Sequence, residues 1–432
     1  MKVVVTSKQA IKPSNQTPHY LCQLKLSFLD QKQQPHYLPF VYFYASGLNK
    51  ATSVRRSEKL KKSLSETLSW FYPLAGRVKD NLFVDCNDAG VPFLEVQVES
   101  SLDHVVGQSN CNSQLNNLFP YPDFDDAGDL LLAVQVNFFQ CGGMAIGLCT
   151  SHKIADGLSI VMFMKFWAAV SRGDHSIWFI PNSVWPTSFP LHLIPTPITT
   201  STALALQKTR SLQKVSCLAT PPSLLLKPNT PPPPPLLSIR LVLRHSLLLY
   251  GIDIRPPLKE RQYVEKELHH CPPLPFLAAM ALLVPPPLKK DAIGEDCGSL
   301  VTQMRDGIRK VDSDFVRKLQ EGGSGGMEGL NSKILEESGN KGGGGEAVFS
   351  LVFSSLARFP LYETDFGWER PVWVTLGMLS LDNIVFFFPI RTDDGIEALI
   401  FSNDANMAKL EADKEFLSFV STPPPPPANA KL

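Results

Sequence analysis

The sequence predicts an α/β fold, because strand-like and helix-like segments follow one another at both ends of the chain. Residues 130–139 and 144–148 are apolar and strand-like, and residues 160–170 have the composition of a buried helix. Four further strand patterns lie near the C-terminus, at residues 347–353, 371–377, 383–390 and 396–402. The chain has 432 residues, which is enough to bury substantial cores and to divide into two or three domains.

The first hundred residues add strands and one long helix. Residues 37–45 and 82–98 alternate aromatic or β-branched side chains with others, as strands do. Residues 52–71 have the pattern of a basic amphipathic helix that ends before Pro73. We interpret the charged residues of this helix as a solvated face rather than as a phosphate site.

The middle of the chain departs from these patterns. Periodicity is lost from about residue 172, which predicts a crossover linker, and residues 190–297 are rich in proline and leucine. Proline blocks helices and inner strands, so this composition favours polyproline II or irregular loops. Two explanations are open, a disrupted reading frame and a diverged surface region. We favour the first, because composition and pattern deteriorate together while the total length stays normal.

Regular patterns return after residue 299. Apolar side chains recur at helical spacing over residues 299–320, and residues 409–420 predict a closing helix. The glycine runs at residues 322–329 and 342–345 predict flexible loops. Neither run has the sequence context of a phosphate-binding loop or of a nucleophile elbow.

Charge, hydropathy and cysteine content exclude several classes of protein. Lysine plus arginine equals aspartate plus glutamate, at 41 each, so there is no electrostatic case for binding nucleic acid or an anionic membrane. The N-terminus lacks a signal-peptide core, and no apolar run approaches the ~20 residues of a membrane span. The eight cysteines are dispersed, as in a reduced cytoplasmic protein. His269, His270 and Cys271 lack a second ligand pair at zinc-like spacing, so no metal site is predicted.

One heptapeptide between the predicted strand and the predicted helix carries candidate chemistry. It reads Ser151-His152-Lys153-Ile154-Ala155-Asp156-Gly157. Histidine is the side chain best suited to act as a general base near neutral pH, and a strand, a tight turn and a helix hold it rigidly. Taken alone, His152 is equally compatible with a structural histidine at a strand end.

Further segments carry a resemblance to one family of enzymes. These segments are Ile11-Lys12-Pro13-Ser14, Phe71-Tyr72-Pro73-Leu74-Ala75-Gly76-Arg77 and Asp365-Phe366-Gly367-Trp368-Glu369. They and the His152 motif occur in the same order along the chain as in that family. The sequence resembles the plant BAHD family of acyl-CoA-dependent acyltransferases and is most similar to its vinorine-synthase-like members. The resemblance covers residues 1–185 and 300–420.

This resemblance implies two similar-sized α/β domains of chloramphenicol-acetyltransferase-like topology, with a channel between them. Residues 1–185 then form the N-terminal domain, residues 186–220 a crossover linker, and residues 221–432 the C-terminal domain, with an atypical part at 221–297. The resemblance also implies a cytoplasmic monomer without a bound cofactor or metal. Its expected substrates are acyl-CoA, with acetyl-CoA the expected donor, and a small-molecule alcohol.

The resemblance assigns roles to individual residues. His152 is expected to act as general base and then to return the proton to the departing CoA thiolate. Asp156 is expected to pair with an arginine and shape the turn, and Gly157 to permit close packing. Ser354 is a candidate hydroxyl in the pocket. The residues expected to be structural, or to lie on the path to CoA, are those of the second signature, Asp365, Phe366, Gly367 and Trp368.

Three departures from the family pattern bear on activity. Glu369 replaces the glycine that ends the second signature, and a side chain there costs ~1 kcal/mol or more if the position needs a positive φ. Leu356 stands where close relatives have a tryptophan beside the active site. The arginine partner expected for Asp365 is not recognisable in the central segment, and an unpaired buried carboxylate is destabilising.

Three alternatives to an active O-acyltransferase of alkaloid or terpenoid alcohols stay open. The first is a degenerate family member without turnover, in line with the proline-rich centre, Leu356 and Glu369. The second is an interaction protein that presents Pro231–Pro235 or Pro423–Pro427 as polyproline ligands. The third is a peptide-synthesis condensation domain, although Ser151 stands where that class prefers a second histidine.

Overall fold

The structure of the protein is a computed structural model that describes most of the N-terminal half and the C-terminal part of the chain. The described residues are 1–26, 30, 31, 33, 36–45, 50–106, 110, 111, 113–121, 128–174, 215–219, 246–252, 281–283, 349–379, 383–391 and 396–418. The helix predicted at 299–320 and the two glycine runs lie outside these ranges, as does the cluster His269 to Cys271.

Sixteen strands and five α-helices are described. The strands are β1 Val3–Ile11, β2 Gln23–Lys25, β3 Tyr37–Tyr44, β4 Arg77–Lys79, β5 Phe83–Asp85, β6 Val91–Val98, β7 Asn110–Cys111, β8 Leu132–Phe139, β9 Met144–Ser151, β10 Val215–Ala219, β11 Ser246–Ile252, β12 Ala281–Leu283, β13 Phe349–Ser355, β14 Trp373–Leu376, β15 Ile384–Pro389 and β16 Ile396–Phe401. The helices are α1 Lys50–Leu68, α2 Leu102–Val106, α3 Gly157–Arg172, α4 Asp404–Ala412 and α5 Lys414–Ser418.

The first sheet has six strands in the order β1-β6-β8-β9-β3-β14. Its central strands β3, β8 and β9 are buried along their whole length, which is why their sequences are continuously apolar instead of alternating. Helices α1 and α3 pack against each other, and the indole Nε1 of Trp167 in α3 donates to Ser63 Oγ in α1 at 3.0 Å. This packing gives α3 a fixed position relative to α1.

The second sheet has seven strands in the order β12-β11-β13-β15-β16-β10-β7. The two large sheets exchange edge strands. Strand β14, from the C-terminal part of the chain, pairs with β3 of the first sheet, and β7, from the N-terminal part, pairs with β10 of the second. A third, small sheet has the order β2-β5-β4. The exchange ties the two halves of the chain together through backbone hydrogen bonds.

Most predicted elements are present, with three differences. The range 82–98 is two strands, β5 and β6, because Asp88 and Gly90 adopt positive φ values of 51° and 95° and turn the chain. The closing helix begins at Asp404, where Asn403 accepts from the amide of Asn406, and is interrupted at Asp413.

The third difference corrects the prediction for the middle of the chain. Strand β10 lies in the range interpreted as a linker, and β11 and β12 lie in the proline-rich range expected to be irregular. Strand β10 pairs with β16 and β11 pairs with β13, and the sequence patterns of β13 and β16 are regular. Strand β12 pairs with β11. Pairing with a regular neighbour imposes extended structure that local periodicity does not indicate. The domain boundaries at residues 185 and 220 stay a prediction.

Candidate active site

His152 lies in a tight turn between β9 and α3. The Ser151 amide donates to the carbonyl of Leu131 at 3.0 Å, which ties the end of β9 to the neighbouring chain. The amides of Ile154 and Ala155 both donate to the Ser151 carbonyl at 3.3 Å. A strand end, a hydrogen-bonded turn and a helix start therefore hold the imidazole, as the sequence predicted.

A second histidine, His36, lies against His152. The amide of His152 donates to the His36 carbonyl at 2.8 Å, and the two ring centroids are 4.8 Å apart at an interplanar angle of 58°. The sequence analysis missed His36, since it belongs to no motif. The register of β3 against β9, in which Tyr37 faces Ser151, is the signal that places it here.

Burial shapes the acid–base properties of both rings. Burial lowers the pKa of His152, and its own main chain and Asp156 oppose this effect without cancelling it. Burial, with repulsion from His152 and Lys153, lowers the pKa of His36 to about 3. The Nδ1 atom of His152 is buried and has no hydrogen-bond partner among the residues that the structure describes. A neutral imidazole at neutral pH is the form that can accept a proton.

Asp156 caps helix α3. Its Oδ1 accepts from the Ser159 amide at 2.8 Å and from the Ser159 hydroxyl at 2.7 Å, and its backbone is extended, as an N-cap residue requires. The side chain is buried. One carboxylate oxygen thus caps the helix that follows His152, and the charge of Asp156 also raises the pKa of His152 against the effect of burial.

Gly157 is the first residue of α3 and contacts the C-terminal part of the chain. A Cβ added here would lie 3.5 Å from Leu356 Cδ2 and 3.7 Å from Phe359 Cε2, which are ordinary packing distances. Leu356, the residue that stands in place of the family's tryptophan, is buried, and its contact with Gly157 places it beside the His152 turn. Ser354 lies two residues earlier on β13, half-buried and opposite Phe386.

Lys153 is a buried lysine beside the candidate base. Its Nζ donates to the carbonyls of Gln31 at 3.1 Å and Gln33 at 2.5 Å. Burial lowers the pKa of Lys153 to about 8, against the attraction of Asp30. The sequence analysis assigned no role to this residue, which ties the turn to the segment that precedes β3.

The second signature forms a turn around the carboxylate of Asp365. Its Oδ1 accepts from the amides of Gly367 at 2.7 Å, Trp368 at 3.2 Å and Glu369 at 3.1 Å. The arginine partner expected for Asp365 falls on the central segment, most of which lies outside the described residues. The carboxylate is nevertheless not left unpaired, because these three main-chain amides donate to it. Glu369 has a φ of 110°, so the position does need the backbone conformation that favours glycine.

The same loop packs against the far end of α3. The carbonyl of Phe366 accepts from Ser171 Oγ at 3.1 Å, and the Phe366 ring lies edge-on to Trp167 with centroids 5.0 Å apart. Arg56 lies 4.9 Å from the centre of the Trp368 ring, in a cation–π contact. Since α3 has 16 residues and rises by about 1.5 Å per residue, this loop lies roughly 20 Å from the His152 turn.

The described residues contain neither a cluster of metal ligands nor a helix that could span a membrane. Among them, no group of three or more His, Cys, Asp or Glu side chains is arranged to hold a metal ion. In the part of the chain that is described, no helix combines the length and apolar character needed to cross a membrane.

Comparison with known proteins extends these findings. The chain matches the model of the Transferase family over residues 1–188 and 290–417, so the match stops on either side of the proline-rich segment. It is 32% identical over 435 residues to stemmadenine O-acetyltransferase of Catharanthus roseus, covering 97% of this chain and 98% of that protein. It is 31% identical over 443 residues to limonoid 21-O-acetyltransferase of Melia azedarach, covering 98% of this chain and 99% of that protein.

A solved structure resembles the fold of this chain. The fold superposes on the crystal structure of vinorine synthase with a TM-score of 0.74 at 26% sequence identity, covering 98% of this chain and 99% of the other. The predicted α/β class and its two-domain topology are confirmed by this likeness.

Proposed function

Because the chain belongs to the plant BAHD family of acyl-CoA-dependent O-acyltransferases, we propose that it moves an acetyl group from acetyl-CoA to a hydroxyl group of an alkaloid or terpenoid alcohol. The family and the enzyme class predicted from the sequence are confirmed. The names of the stemmadenine and limonoid O-acetyltransferases support the choice of donor and of acceptor class. The alternative of a family member without turnover is not supported.

The position of His152 carries the proposal. Its Nδ1 is buried, so Nε2 is the nitrogen available to an acceptor hydroxyl, and Nδ1 then carries the ring proton. As the acceptor oxygen forms its bond to the thioester carbonyl carbon, the hydroxyl proton passes to Nε2. The carbon–sulfur bond then breaks, and the proton passes from Nε2 to the CoA thiolate. The enzyme needs no covalent intermediate.

The other site residues take supporting roles in this proposal. Asp156 shapes the turn as a helix cap and does not relay the proton, because its Oδ1 is engaged by Ser159. The side chain of Leu356 has no N–H to offer to the oxyanion, and its main-chain amide donates to the Phe387 carbonyl at 2.7 Å. The Ser354 hydroxyl is therefore a candidate donor from β13. Asp365, Phe366, Gly367 and Trp368 shape the loop that packs at the far end of α3.

We place the enzyme in the cytoplasm as a monomer. Four cysteines of the described part of the chain, Cys22, Cys86, Cys141 and Cys149, are free thiols, in keeping with a reducing compartment. Cell fractionation and size-exclusion chromatography with light scattering test the two parts of this placement separately.

The decisive experiment measures release of the CoA thiol by the purified protein. Acetyl-CoA is supplied with a panel of alkaloid and terpenoid alcohols, with His152→Ala as the test variant and His19→Ala, at an exposed histidine, as the matched control. We expect acceptor-dependent release that falls ~10²–10⁴-fold in His152→Ala and is unchanged in His19→Ala. Retained turnover in a folded His152→Ala variant would refute the assignment of the base.

Two further comparisons define the substrates. Malonyl-CoA in place of acetyl-CoA tests the donor, and each active alcohol is paired with its amine analogue to test the acceptor atom. Faster turnover with malonyl-CoA, or with amines, would replace the acetyl donor or the hydroxyl acceptor in the proposal.

A further inference from the structure

The orientation of His152 needs a physical explanation, because a general base works only when its ring points at the proton it removes. In many enzymes a carboxylate holds the second ring nitrogen of the base. Here Asp156 is occupied by Ser159, and Nδ1 of His152 has no hydrogen-bond partner among the described residues. Within the described part of the chain, packing and the main chain are the contacts that set the angle of the ring.

His36 supplies both of these constraints. Its carbonyl accepts the His152 amide at 2.8 Å, and its ring lies against the His152 ring with centroids 4.8 Å apart. Both contacts come from one residue immediately before β3, the strand that pairs with β9 over its whole length. Burial lowers the pKa of His152, and the adjacent ring of His36 is one of the groups that pack against it.

Lys153 anchors the segment that carries His36. Its ammonium group is buried and donates to the carbonyls of Gln31 and Gln33, a few residues before His36 in the chain. The positive charge of Lys153 disfavours protonation of the His36 ring. Among the described residues, the charged and titratable groups that act on the pair are Lys153 and Asp156, and Asp30 acts on Lys153.

We propose that His36 is a positioning residue for the acyl-transfer base: its ring holds the His152 imidazole in a fixed orientation and keeps water from it. This inference rests on the proposed function of His152. His36 itself makes and breaks no bond in the reaction. Its aromatic plane, rather than its ring nitrogens, is the property that the enzyme uses.

The test compares His36→Ala, which removes the ring, with His36→Phe, which keeps an aromatic plane without titratable nitrogens. If His36→Ala fails to fold, His36→Leu replaces it, since leucine fills space without a flat ring. His19→Ala is the control at an exposed histidine. The readouts are kcat and KM for both substrates, the pH profile of kcat/KM, and the pKa of His152 from NMR of ¹³C-labelled histidine, with His152→Ala identifying its signal.

We expect His36→Ala to lower kcat about 10- to 100-fold with little change in the KM for acetyl-CoA. The acid limb of its pH profile and the pKa of His152 should move upward, because water reaches the ring. His36→Phe should restore kcat and the low pKa of His152.

Two outcomes overturn the proposal. One is an unchanged kcat and an unchanged pKa of His152 in His36→Ala. The other is a His36→Phe variant as impaired as His36→Ala, which would mean that a ring nitrogen is required. The NMR arm needs no turnover, so it decides the proposal even if the proposed acyl transfer fails.

Discussion

Glu369 shows how one residue can oppose the backbone around it. At a φ of 110° an L-amino acid side chain is strained, and this conformation is almost exclusive to glycine. The strain is tolerated because the Glu369 amide still donates to Asp365, at 3.1 Å. The side chain also attracts Arg56, whose pKa is lowered by burial and partly restored by Glu369.

We predict that Glu369→Gly raises the free energy of unfolding by about 1 kcal/mol, because relief of strain exceeds the added freedom of the unfolded chain. Chemical denaturation measures the change. Glu369→Ala is the matched control, since alanine removes the carboxylate and keeps the strained Cβ. A gain of the same size in both variants would trace the effect to charge instead of backbone.

Gly157 belongs to the signature motif, yet the structure places no strain on it. A Cβ would meet only ordinary contacts, the nearest at 3.5 Å from Leu356. We therefore predict that Gly157→Ala changes the free energy of unfolding by less than ~1 kcal/mol. Gly147→Ala is the contrast, since its Cβ would lie 2.2 Å from the Leu118 carbonyl oxygen. Gly147→Ala should lower the free energy of unfolding by about 1–3 kcal/mol or more. Equal losses in the two variants would contradict this account.

At the scale of the element, helix α3 connects the two signatures. Its N-terminus follows His152 and is capped by Asp156, and its C-terminal turn holds the loop of Asp365 through Ser171 and Arg172. A change at either end is therefore transmitted to a rigid element that also packs on α1.

We predict that Asp156→Ala lowers the free energy of unfolding by about 1–2 kcal/mol and lowers turnover, because the cap of α3 is lost and the turn loosens. Asp156→Asn keeps an oxygen that can accept from the Ser159 amide, so this variant should retain most of the stability and most of the turnover. Denaturation curves and CoA-release rates test the pair. A fully stable but inactive Asp156→Asn variant would indicate that the charge itself takes part in the chemistry.

At the scale of the whole molecule, a buried carboxyl connects the two large sheets. Glu397 on β16 accepts from the indole Nε1 of Trp373 on β14 at 3.3 Å, and β14 belongs to the other sheet. Burial raises the pKa of Glu397 from 4.5 to about 7, partly offset by this hydrogen bond. The neighbouring titratable groups are Tyr362, whose pKa is raised by burial and by Glu397, and Arg391.

The sign of the resulting pH dependence follows from proton binding. Between pH 4.5 and about 7 the folded state holds a proton on Glu397 that the unfolded state has lost, so stability falls as the pH rises through this window. We predict that Glu397→Gln removes this dependence and is more stable than the parent at pH 8 by up to about 3 kcal/mol. Thermal and chemical unfolding from pH 4 to 8 measure it. Glu411→Gln, at an exposed position on α4, is the control, and an identical pH profile in parent and Glu397→Gln would refute the prediction.

Much of the first sheet and the His152 site could be predicted because their signals are local. The apolar runs that became β8, β9 and α3 are continuous in sequence, and Asp156 followed by a helical pattern is a local capping signal. The match of the family model on both sides of residues 189–289 agrees with the loss of pattern there. The origin of that segment in a disrupted reading frame stays a prediction.

The α/β class, the candidate base and the motif around it could be predicted from the sequence alone, because periodicity and capping involve neighbouring residues. The order of the two signatures along the chain predicted the family. The contact of His36 with His152, the main-chain amides on Asp365 and the crossing of β7 and β14 between the sheets became known from the folded structure. These features depend on strand register and on packing between segments far apart in the chain. Local sequence patterns do not encode register across such separations, so the partners of the base became visible only in the folded molecule.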